Sequence, residues 1–498
     1  MPLDPEVCSR ARHSRDPRFD GRFFIGVLTT RIYCRPVCPA RSPKEENVRY
    51  FPTAAAAAEA GLRPCLRCRP ESSPGTPAWR GTSSTVSRAL RLISESALED
   101  GGVDALAERL GIGSRHLRRL FLQHLGASPV AVAQTRRLHF AKKLIDESSL
   151  PMNQIALASG FGSIRRFNDT FHKTYGRAPS QLRRRARPTA TSQENEYGFL
   201  LRFRPPFHWQ GLLAFLAPRA TPGIELVEGG AYRRVISLDG HIGFMEVRLD
   251  APQDALALRI RFSEPRLLFL VVERVRRMFD LAADPGEIAS HLSPDALLAP
   301  RLAANPGLRV PGCWDGFELA VRAILGQQVT VKGATTLAGR LVRAFGTPVV
   351  IGRGLTHLFP TPEKLAGSNL ACIGLPRARA QTIRLLARAV SEGRITFSGI
   401  VDVEDFRARF RTLPGIGDWT AQYVAMRALG EPDAFPSADL GLLRAASLKD
   451  ARELEARAQA WRPWRAYAAM YLWQGAMKDE HPLLHAHRQP GRAAASGR

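Results

Sequence analysis

Residues Leu413–Asp439 read LPGIGDWTAQYVAMRALGEPDAFPSAD, and this stretch says more about the fold than any other. Apolar residues at helical spacing on both sides predict two helices that are joined by a short turn at Leu413–Gly417. Gly415 and Gly417 have no side chains, so backbone N–H groups there can approach a phosphate closely. Since the second helix points its positive end at the same place, the stretch predicts a phosphate-binding hairpin.

An acidic residue, Asp439, follows the hairpin after a loop that contains Pro436. The hairpin, the loop and the Asp together resemble the helix-hairpin-helix superfamily of DNA glycosylases. The resemblance implies that Leu413, Gly415 and Gly417 contact DNA. It also implies that Asp439 stabilises an oxocarbenium-like sugar and orients the attacking water. A role for Asp439 as the N-cap of the next helix is the alternative, and the two roles are compatible.

Size and charge favour a multidomain protein that binds a polyanion. The chain has 498 residues, a formal net charge of +25 and a pI of about 10.8, which suits double-stranded DNA as the partner. No apolar run reaches the roughly 18 residues of a membrane span, and the N-terminus has no signal-peptide pattern. We therefore expect a cytoplasmic, nucleoid-associated bacterial protein. Residues 1–190 hold 32 Lys and Arg against 16 Asp and Glu, so DNA binding need not be confined to the hairpin.

Four of the seven cysteines are spaced as metal ligands. Cys34 and Cys38 form a C-x3-C pair, and after a gap of 26 residues Cys65 and Cys68 form a C-x2-C pair. Two close pairs of thiolates suit one tetrahedral Zn²⁺ ion, whereas a disulfide framework fits this clustering less well. Four unrelated buried cysteines are the alternative.

The residues around these cysteines narrow the interpretation. Thr29–Cys38 and Gly61–Cys68 resemble the N-terminal domain of the Ada adaptive-response regulator. The resemblance implies that residues 1–77 form a small zinc-binding α/β domain in which Cys34 irreversibly accepts a methyl group from a methylated DNA phosphotriester. Methylation removes negative charge, so it is expected to raise DNA affinity. A purely structural zinc site is the alternative. The predicted phosphate contacts, which solvated surface positions would equally explain, are Arg31, Arg35 and Arg67.

Residues 82–187 are predicted to be nearly all helical. A helix, a glycine turn and a basic helix at Val103–Phe121 recur at Gln154–Phe167. This duplicated helix-turn-helix resembles the DNA-binding domain of the AraC/XylS family, and Ser114 and Ser163 are predicted to cap the two recognition helices. A helical bundle that does not bind DNA is the alternative. The candidates to face a DNA groove are Arg115, His116, Arg118, Arg119, Arg165, Arg166 and Asn168.

The second half of the chain is predicted to be a small α/β domain at 197–283 followed by an all-α domain at 284–486. A helix is predicted at Pro265–Phe279. The segment Pro311–Glu318 leads into Ala320–Val329, and Trp461–Arg465 follows the hairpin. Together with the α/β layer and the hairpin, these segments resemble the AlkA-type 3-methyladenine DNA glycosylase II from about 197 to 485. Linkers are predicted at 72–81 and 183–196. The predicted strands are Phe199–Trp209, Ala231–Val235, Gly243–Leu249 and Leu256–Phe262.

The resemblance implies an aromatic pocket for a base that has been flipped out of the duplex. An alkylated purine carries positive charge, and electron-rich aromatic faces favour such a cation. Trp419, Tyr423 and Trp464 are predicted to form the pocket together with Gln327, although core packing would also explain the aromatic residues. Gln328 occupies the position at which relatives often have a Leu wedge, so the depth of intercalation is open.

The position of Trp419 bears on the reaction type. Bifunctional members of the superfamily have a nucleophilic Lys at this position, so its absence predicts hydrolysis without strand cleavage. We therefore expect a multidomain α+β fusion of a zinc methyl acceptor, a transcription activator that works with RNA polymerase, and a monofunctional glycosylase. Two alternatives remain, namely a regulator with an inactive glycosylase module and a zinc domain with only a structural role. Cys313 and Cys372 are expected to be packing cysteines.

Overall fold

The computed structural model describes residues 4–74, 84–94, 102–148, 150–183, 195–397 and 403–480. Most of each predicted linker lies outside these ranges. Within them, no helix combines the length and the apolar character that crossing a membrane requires.

The N-terminal segment is a four-stranded sheet with two helices. Its helices are α1 (Pro5–Ser14) and α2 (Ala54–Glu59), and its strands are β1 (Phe24–Val27), β2 (Ile32–Cys34), β3 (Val48–Phe51) and β4 (Arg63–Pro64). The strand order is β3-β1-β2-β4, and β2 and β4 are parallel. Because these two strands are neighbours, Cys65 N donates to Tyr33 O at 3.0 Å. The sheet thus brings the two cysteine pairs together.

In its described residues, the next segment consists of helices and the short turns between them, as predicted. Its helices are α3 (Ser84–Ser94), α4 (Gly102–Arg109), α5 (Ser114–Leu125), α6 (Pro129–Glu147), α7 (Met152–Ala158), α8 (Ile164–Tyr175) and α9 (Pro179–Leu182). The pairs α4/α5 and α7/α8 are the two copies of the repeat. Gly126 and Gly176 end the second helix of each copy in the left-handed conformation, which glycine adopts at little cost.

The two copies belong to different hydrophobic cores, and α6 runs between them. Leu117 and Phe121 of α5 are buried together with Phe24 of the N-terminal sheet. Phe167 of α8 belongs to the core that continues into the C-terminal half. In that core Phe140 of α6 lies 4.9 Å from Phe269, centroid to centroid. The helical segment therefore packs on both of its neighbours.

A five-stranded antiparallel sheet begins the second half, with strand order β5-β9-β8-β7-β6. The strands are β5 (Glu196–Arg202), β6 (Glu225–Glu228), β7 (Ala231–Leu238), β8 (His241–Asp250) and β9 (Ala255–Phe262), and the helices are α10 (Trp209–Leu216) and α11 (Leu268–Met278). The predicted strand Phe199–Trp209 was too long, because Pro205 and Pro206 have no N–H to donate to a sheet. Both β6 and α10 were missed.

In the described residues beyond 284, the regular structure is helical apart from one unpredicted hairpin of β10 (Thr347–Gly352) and β11 (Leu355–Leu358). The helices are α12 (Pro285–Leu292), α13 (Ala299–Ala304), α14 (Gly316–Leu325), α15 (Val331–Phe345), α16 (Pro362–Ala366), α17 (Arg377–Ser391), α18 (Val403–Arg411), α19 (Asp418–Arg427), α20 (Leu440–Ala445), α21 (Ala451–Ala458) and α22 (Arg465–Glu480). Helices α18 and α19 are the two helices predicted around Leu413–Gly417. Cys372 is exposed, so its prediction as a packing cysteine was wrong.

Candidate active site and zinc centre

The turn between α18 and α19 has two buried apolar side chains and an exposed glycine backbone. Leu413 and Ile416 are buried, so they hold the turn to the protein and leave contact with a ligand to the backbone. Gly415 has φ +85°, and a Cβ there would lie 2.2 Å from Thr382 Oγ1. At Gly417, the N-cap of α19, a Cβ would meet nothing within 4 Å. The turn therefore presents a smooth backbone surface at the positive end of a helix.

The side chain of Gln327, which was predicted to belong to the base pocket, is hydrogen-bonded to this turn. Its Nε2 donates to Gly415 O at 2.9 Å and to Thr420 Oγ1 at 3.0 Å. The backbone carbonyl of Gln327 accepts a hydrogen bond from Arg379 Nη2 at 2.6 Å. These contacts indicate that Gln327 positions the hairpin, and its role in the base pocket stays a prediction. The adjacent Gln328 is exposed and has φ +55°, an uncommon conformation for a residue other than glycine.

Asp439 is both the N-cap of α20 and the acceptor of two indole N–H groups. Its Oδ1 accepts from Gly441 N at 2.9 Å, Leu442 N at 3.1 Å and Trp473 Nε1 at 2.9 Å. Its Oδ2 accepts from Trp419 Nε1 at 2.8 Å. Since Oδ1 has three donors and Oδ2 has one, Oδ2 retains the capacity to face a developing positive charge.

Four aromatic rings lie near this carboxylate. Trp419 and Tyr423 are stacked, with centroids 5.4 Å apart and planes 9° apart. Trp473 of α22 lies 6.2 Å from Tyr423, and Phe215 of α10 lies 6.1 Å from Trp473. The candidate pocket is therefore composed of Trp419, Tyr423 and Trp473, and Phe215, which is 1% exposed, packs against Trp473 from the hydrophobic core.

Trp464 was predicted in this pocket, but the structure directs it elsewhere. It is 3% exposed and packs edge-to-face on Tyr467, with centroids 5.7 Å apart. Trp473, nine positions later, lies beside Tyr423 and Asp439, where Trp464 was predicted to lie. No prediction was made for Trp473. A Cβ at Gly441 would lie 3.3 Å from the Trp473 ring. The glycine two positions after Asp439 was the one available signal that a bulky group packs there.

Arginines lie behind the pocket. Arg427 Nη1 donates to the Tyr423 hydroxyl at 2.7 Å. Burial alone would raise the pKa of Tyr423, but the positive charges of Arg427, Arg219 and Arg322 outweigh it and lower the pKa. The Arg219 guanidinium lies 3.9 Å from the centroid of Phe215.

The four predicted zinc ligands converge. The sulfur atoms of Cys34, Cys38, Cys65 and Cys68 lie within 4.8 Å of one another. Sulfurs bound at about 2.3 Å to one tetrahedral Zn²⁺ are about 3.8 Å apart, which is within this limit, so the cluster fits one ion. Cys34, Cys65 and Cys68 are buried and Cys38 is partly exposed. An ion bound here would keep the thiols deprotonated.

Arg35 supports the cysteine cluster instead of facing DNA. It is 5% exposed, its Nε donates to Asp20 Oδ1 at 2.8 Å, and its Nη1 donates to Cys68 O at 3.0 Å. The opposite charge of Asp20 holds the pKa of Arg35 above its ordinary value in spite of burial. The prediction that Arg35 contacts phosphate was therefore wrong. Arg31 and Arg67 are exposed.

The recognition helices present their predicted polar faces to solvent. Ser163 caps α8 by accepting from Arg166 N at 3.2 Å, whereas Gly113, not Ser114, is the N-cap of α5. The prediction for Ser114 was thus one residue too late. The exposed side chains are Arg115, His116, Arg118, Arg119, Arg165, Arg166 and Asn168.

Taken with the two helix-turn-helix copies and the cysteine cluster, the hairpin and its carboxylate define a modular protein of the helix-hairpin-helix glycosylase class. Four family models match it. They are the metal binding domain of Ada (7–71), a helix-turn-helix domain (106–185), the AlkA N-terminal domain (199–315) and the HhH-GPD superfamily of base excision DNA repair proteins (321–465).

A Mycobacterium tuberculosis protein named "Probable bifunctional transcriptional activator/DNA repair enzyme AlkA" is 42% identical over 488 residues, which cover 96% of this chain and 97% of that protein. The chain therefore belongs to the family of bifunctional AlkA/Ada-type proteins. The DNA-3-methyladenine glycosylase 2 of Escherichia coli is 33% identical over 293 residues, 57% of this chain and 99% of that enzyme.

Two further comparisons cover the halves separately. The E. coli "Bifunctional transcriptional activator/DNA repair enzyme Ada" is 32% identical over 170 residues, which are 34% of this chain and 46% of that protein. The 3-methyladenine DNA glycosylase of Archaeoglobus fulgidus has a TM-score of 0.50 at 24% identity and covers 57% of this chain and 99% of its own. That structure shares the fold of the C-terminal half.

Proposed function

We propose that the C-terminal half is a monofunctional DNA glycosylase that hydrolyses the N-glycosidic bond of alkylated bases of the 3-methyladenine type. The observation that carries the proposal is the pair of indole donors, Trp419 and Trp473, on the Asp439 carboxylate. The two N–H groups hold Asp439 in a fixed orientation beside the aromatic pocket. Such preorganisation is what an electrostatic stabiliser of a transition state requires.

In the proposed reaction, the hairpin binds the DNA backbone and the damaged base stacks in the pocket. An alkylated purine is a good leaving group because it departs as a neutral base. As its bond to the sugar lengthens, positive charge develops on the sugar, and Oδ2 of Asp439 stabilises that charge and orients a water molecule. Trp419 has no amine, so no Schiff base forms and an abasic site remains in an intact strand.

A base-release assay on methylated duplex DNA tests this activity. Wild-type protein should release methylated bases, and Asp439→Asn should lose most of the rate. Asn is the matched substitution because it still caps a helix. If the wild-type protein releases no base, the glycosylase claim fails, and a transcription regulator with an inactive glycosylase module becomes the better description.

We further propose that Cys34 is a methyl acceptor in the N-terminal half. Its thiolate attacks the methyl carbon of a methyl phosphotriester. The S–CH₃ bond forms as the CH₃–O bond breaks, and the phosphate leaves as a diester anion, so no proton needs to move. To lose the methyl group again, Cys34 would have to leave the methyl carbon as a thiolate, which is a poor leaving group, so each molecule reacts once. Peptide mapping after incubation with methyl-phosphotriester DNA should locate the methyl group on Cys34. A methyl group found on Cys38 would assign the acceptor role to Cys38 instead. If no methyl group is found, the zinc site has only a structural role.

The two helix-turn-helix copies are proposed to bind promoter DNA and to activate transcription with RNA polymerase. Methylation of Cys34 changes the formal charge of a Zn(Cys)₄ centre from −2 to −1, so DNA phosphate is repelled less. Gel-shift titrations of unmethylated and methylated protein on promoter fragments, followed by run-off transcription with RNA polymerase, test this switch. Equal DNA affinity of the unmethylated and methylated forms would contradict the proposed switch.

A further inference from the structure

Helix α6 has side chains that contact two different parts of the chain. Arg136, Phe140 and Lys143 contact the C-terminal half, by which we mean the described residues from 195 to 480. His139 and Asp146 contact the N-terminal segment. Since positions three and four apart share a face of a helix, the two sets lie on adjacent faces of α6. The helix therefore connects the N-terminal segment with the C-terminal half.

An aromatic cluster is part of the contact with the C-terminal half. The Phe140 ring lies 4.9 Å from the ring of Phe269 in α11 and 6.3 Å from that of Phe199 in β5, centroid to centroid. Phe140 is 6% exposed and Phe199 is 3% exposed. Buried aromatic rings supply much of the binding energy of an interface, because they remove a large apolar area from water. The contact therefore resembles the core of a stable interface.

The same contact covers an open edge of the five-stranded sheet. Strand β5 is at the edge, so one side of it has no neighbouring strand. Lys143, which is 6% exposed, donates to Leu200 O of β5 at 2.5 Å. Arg204, just beyond β5, is fully buried and donates to Pro74 O of the N-terminal segment at 3.3 Å. Because an uncovered edge strand can pair with another chain, these contacts protect the C-terminal half from self-association.

Two ion pairs also join the two parts of the chain. Arg136 of α6 pairs with Glu273 of α11. Arg22 Nε of the N-terminal segment lies 3.0 Å from Oδ2 of Asp284, which is buried. Charged pairs across an interface fix the orientation of the two surfaces, because a displaced pair leaves both charges without partners.

We propose that the regulatory half, by which we mean the described residues from 4 to 183, is the docking partner of β5 and α11, and that the two halves stay bound when the chain between them is cut. This inference goes beyond the proposed activities and does not depend on them. In such a unit the recognition helices and the hairpin approach DNA in one relative orientation. Modules on a flexible linker would sample many orientations.

The test uses the full chain with a protease recognition site inserted between Ser192 and Gln193, in the segment that joins the halves. After cleavage, the halves of the otherwise wild-type protein should elute together in size-exclusion chromatography at physiological ionic strength. Analytical ultracentrifugation over a dilution series then gives their dissociation constant. Separate elution of the cleaved wild-type halves overturns the proposal.

A charge swap tests whether the halves bind through the surface described above. Glu273→Arg places a cation opposite Arg136 and should weaken the association of the cleaved halves by about tenfold or more. The double variant Arg136→Glu, Glu273→Arg restores opposite charges and should recover most of that loss. Glu453→Arg, at an exposed position of α21, makes the same change in net charge and should leave the dissociation constant unchanged. No weakening by Glu273→Arg, or no recovery in the double variant, overturns the proposal.

Thermal unfolding of the variants is compared first. If Glu273→Arg unfolds at a clearly lower temperature than Glu453→Arg, Glu273→Gln replaces it, because Gln removes the charge and keeps the shape of the side chain. The cleaved halves should then bind about threefold or more weakly than those of wild type. Wild-type affinity in a folded Glu273→Gln variant overturns the proposal in the same way. None of these measurements requires base release, so the result is independent of the proposed glycosylase activity.

Discussion

Trp419 Nε1 donates a 2.8 Å hydrogen bond to Oδ2 of Asp439. The residue that stands where bifunctional relatives have a nucleophilic lysine thus orients the carboxylate on which the proposed chemistry depends. A second indole donates to the other oxygen of this carboxylate. It belongs to Trp473 of α22, which lies 34 positions after Asp439 in the chain. The carboxylate is therefore fixed from two sides.

The substitution Asp439→Asn should reduce the single-turnover rate of base release by about 10²- to 10³-fold. The amide has no negative charge to stabilise the sugar, yet its oxygen can still accept from the N–H groups of α20. The melting temperature should fall only slightly, because the amide oxygen keeps the N-cap contacts and the amide NH₂ then faces the partly exposed Trp419 N–H. A rate within tenfold of wild type would contradict the proposed role of Asp439.

Borohydride should trap no covalent complex between wild-type protein and DNA during base release. Trapping requires an amine, and Trp419 supplies none. Gel electrophoresis should show an intact strand that breaks only after hot alkali treatment, which also serves as the control for abasic-site formation. Strand cleavage without alkali would contradict hydrolysis as the whole reaction.

The two hairpin glycines form a matched pair for mutation. Gly415→Ala should destabilise the fold by about 1–3 kcal/mol, because φ is +85° and the new methyl group would meet Thr382. Gly417→Ala has space and an ordinary φ of −88°. Its melting temperature should not change, but its affinity for DNA should fall because the methyl group lies on the surface that we propose faces the phosphate. Thermal unfolding and fluorescence anisotropy measure the two effects, and equal DNA affinity for Gly417→Ala and wild type would count against the hairpin.

Removing Arg35 should destabilise the N-terminal segment. Arg35→Met leaves Asp20 buried without its partner, which costs about 3–5 kcal/mol. Zinc should then be lost to a chelator at a lower concentration than from wild type. Arg67→Met, at an exposed position, is the control and should retain zinc normally. Equal retention by the two variants would show that Arg35 does not support the cluster.

His139 should make stability depend on pH. Its Nε2 lies 2.9 Å from the Tyr33 hydroxyl, and burial lowers its pKa from 6.5 to about 4. Because the folded protein resists protonation of this group, its contribution to stability is complete above pH 6.5 and is lost as the pH falls towards 4. Between pH 7.5 and 5, wild type should therefore lose more melting temperature than His139→Gln, and an equal loss would contradict the assignment. Zinc content is measured in parallel, since acid also releases the metal.

Much of the site could be predicted because it depends on local spacing. The cysteine pairs, the repeated helix-turn-helix and the glycine hairpin each lie within a short segment, so neighbouring residues determine their form. The convergence of the two cysteine pairs also followed, because four thiolates suit one ion. The burial of Arg35 was not predicted, because its partner Asp20 lies 15 residues earlier and no spacing pattern links the two.

By itself, the sequence determined the kinds of module, their order, the zinc ligands and the acidic residue after the hairpin. Only the tertiary structure decided that Trp473 contacts the Asp439 carboxylate, that Gln327 is hydrogen-bonded to the hairpin, and that Arg219 lies against Phe215. The physical reason is that helical spacing indicates which residues share a face of one helix. Which of those residues meets a carboxylate or a ring on another helix depends on how distant segments pack.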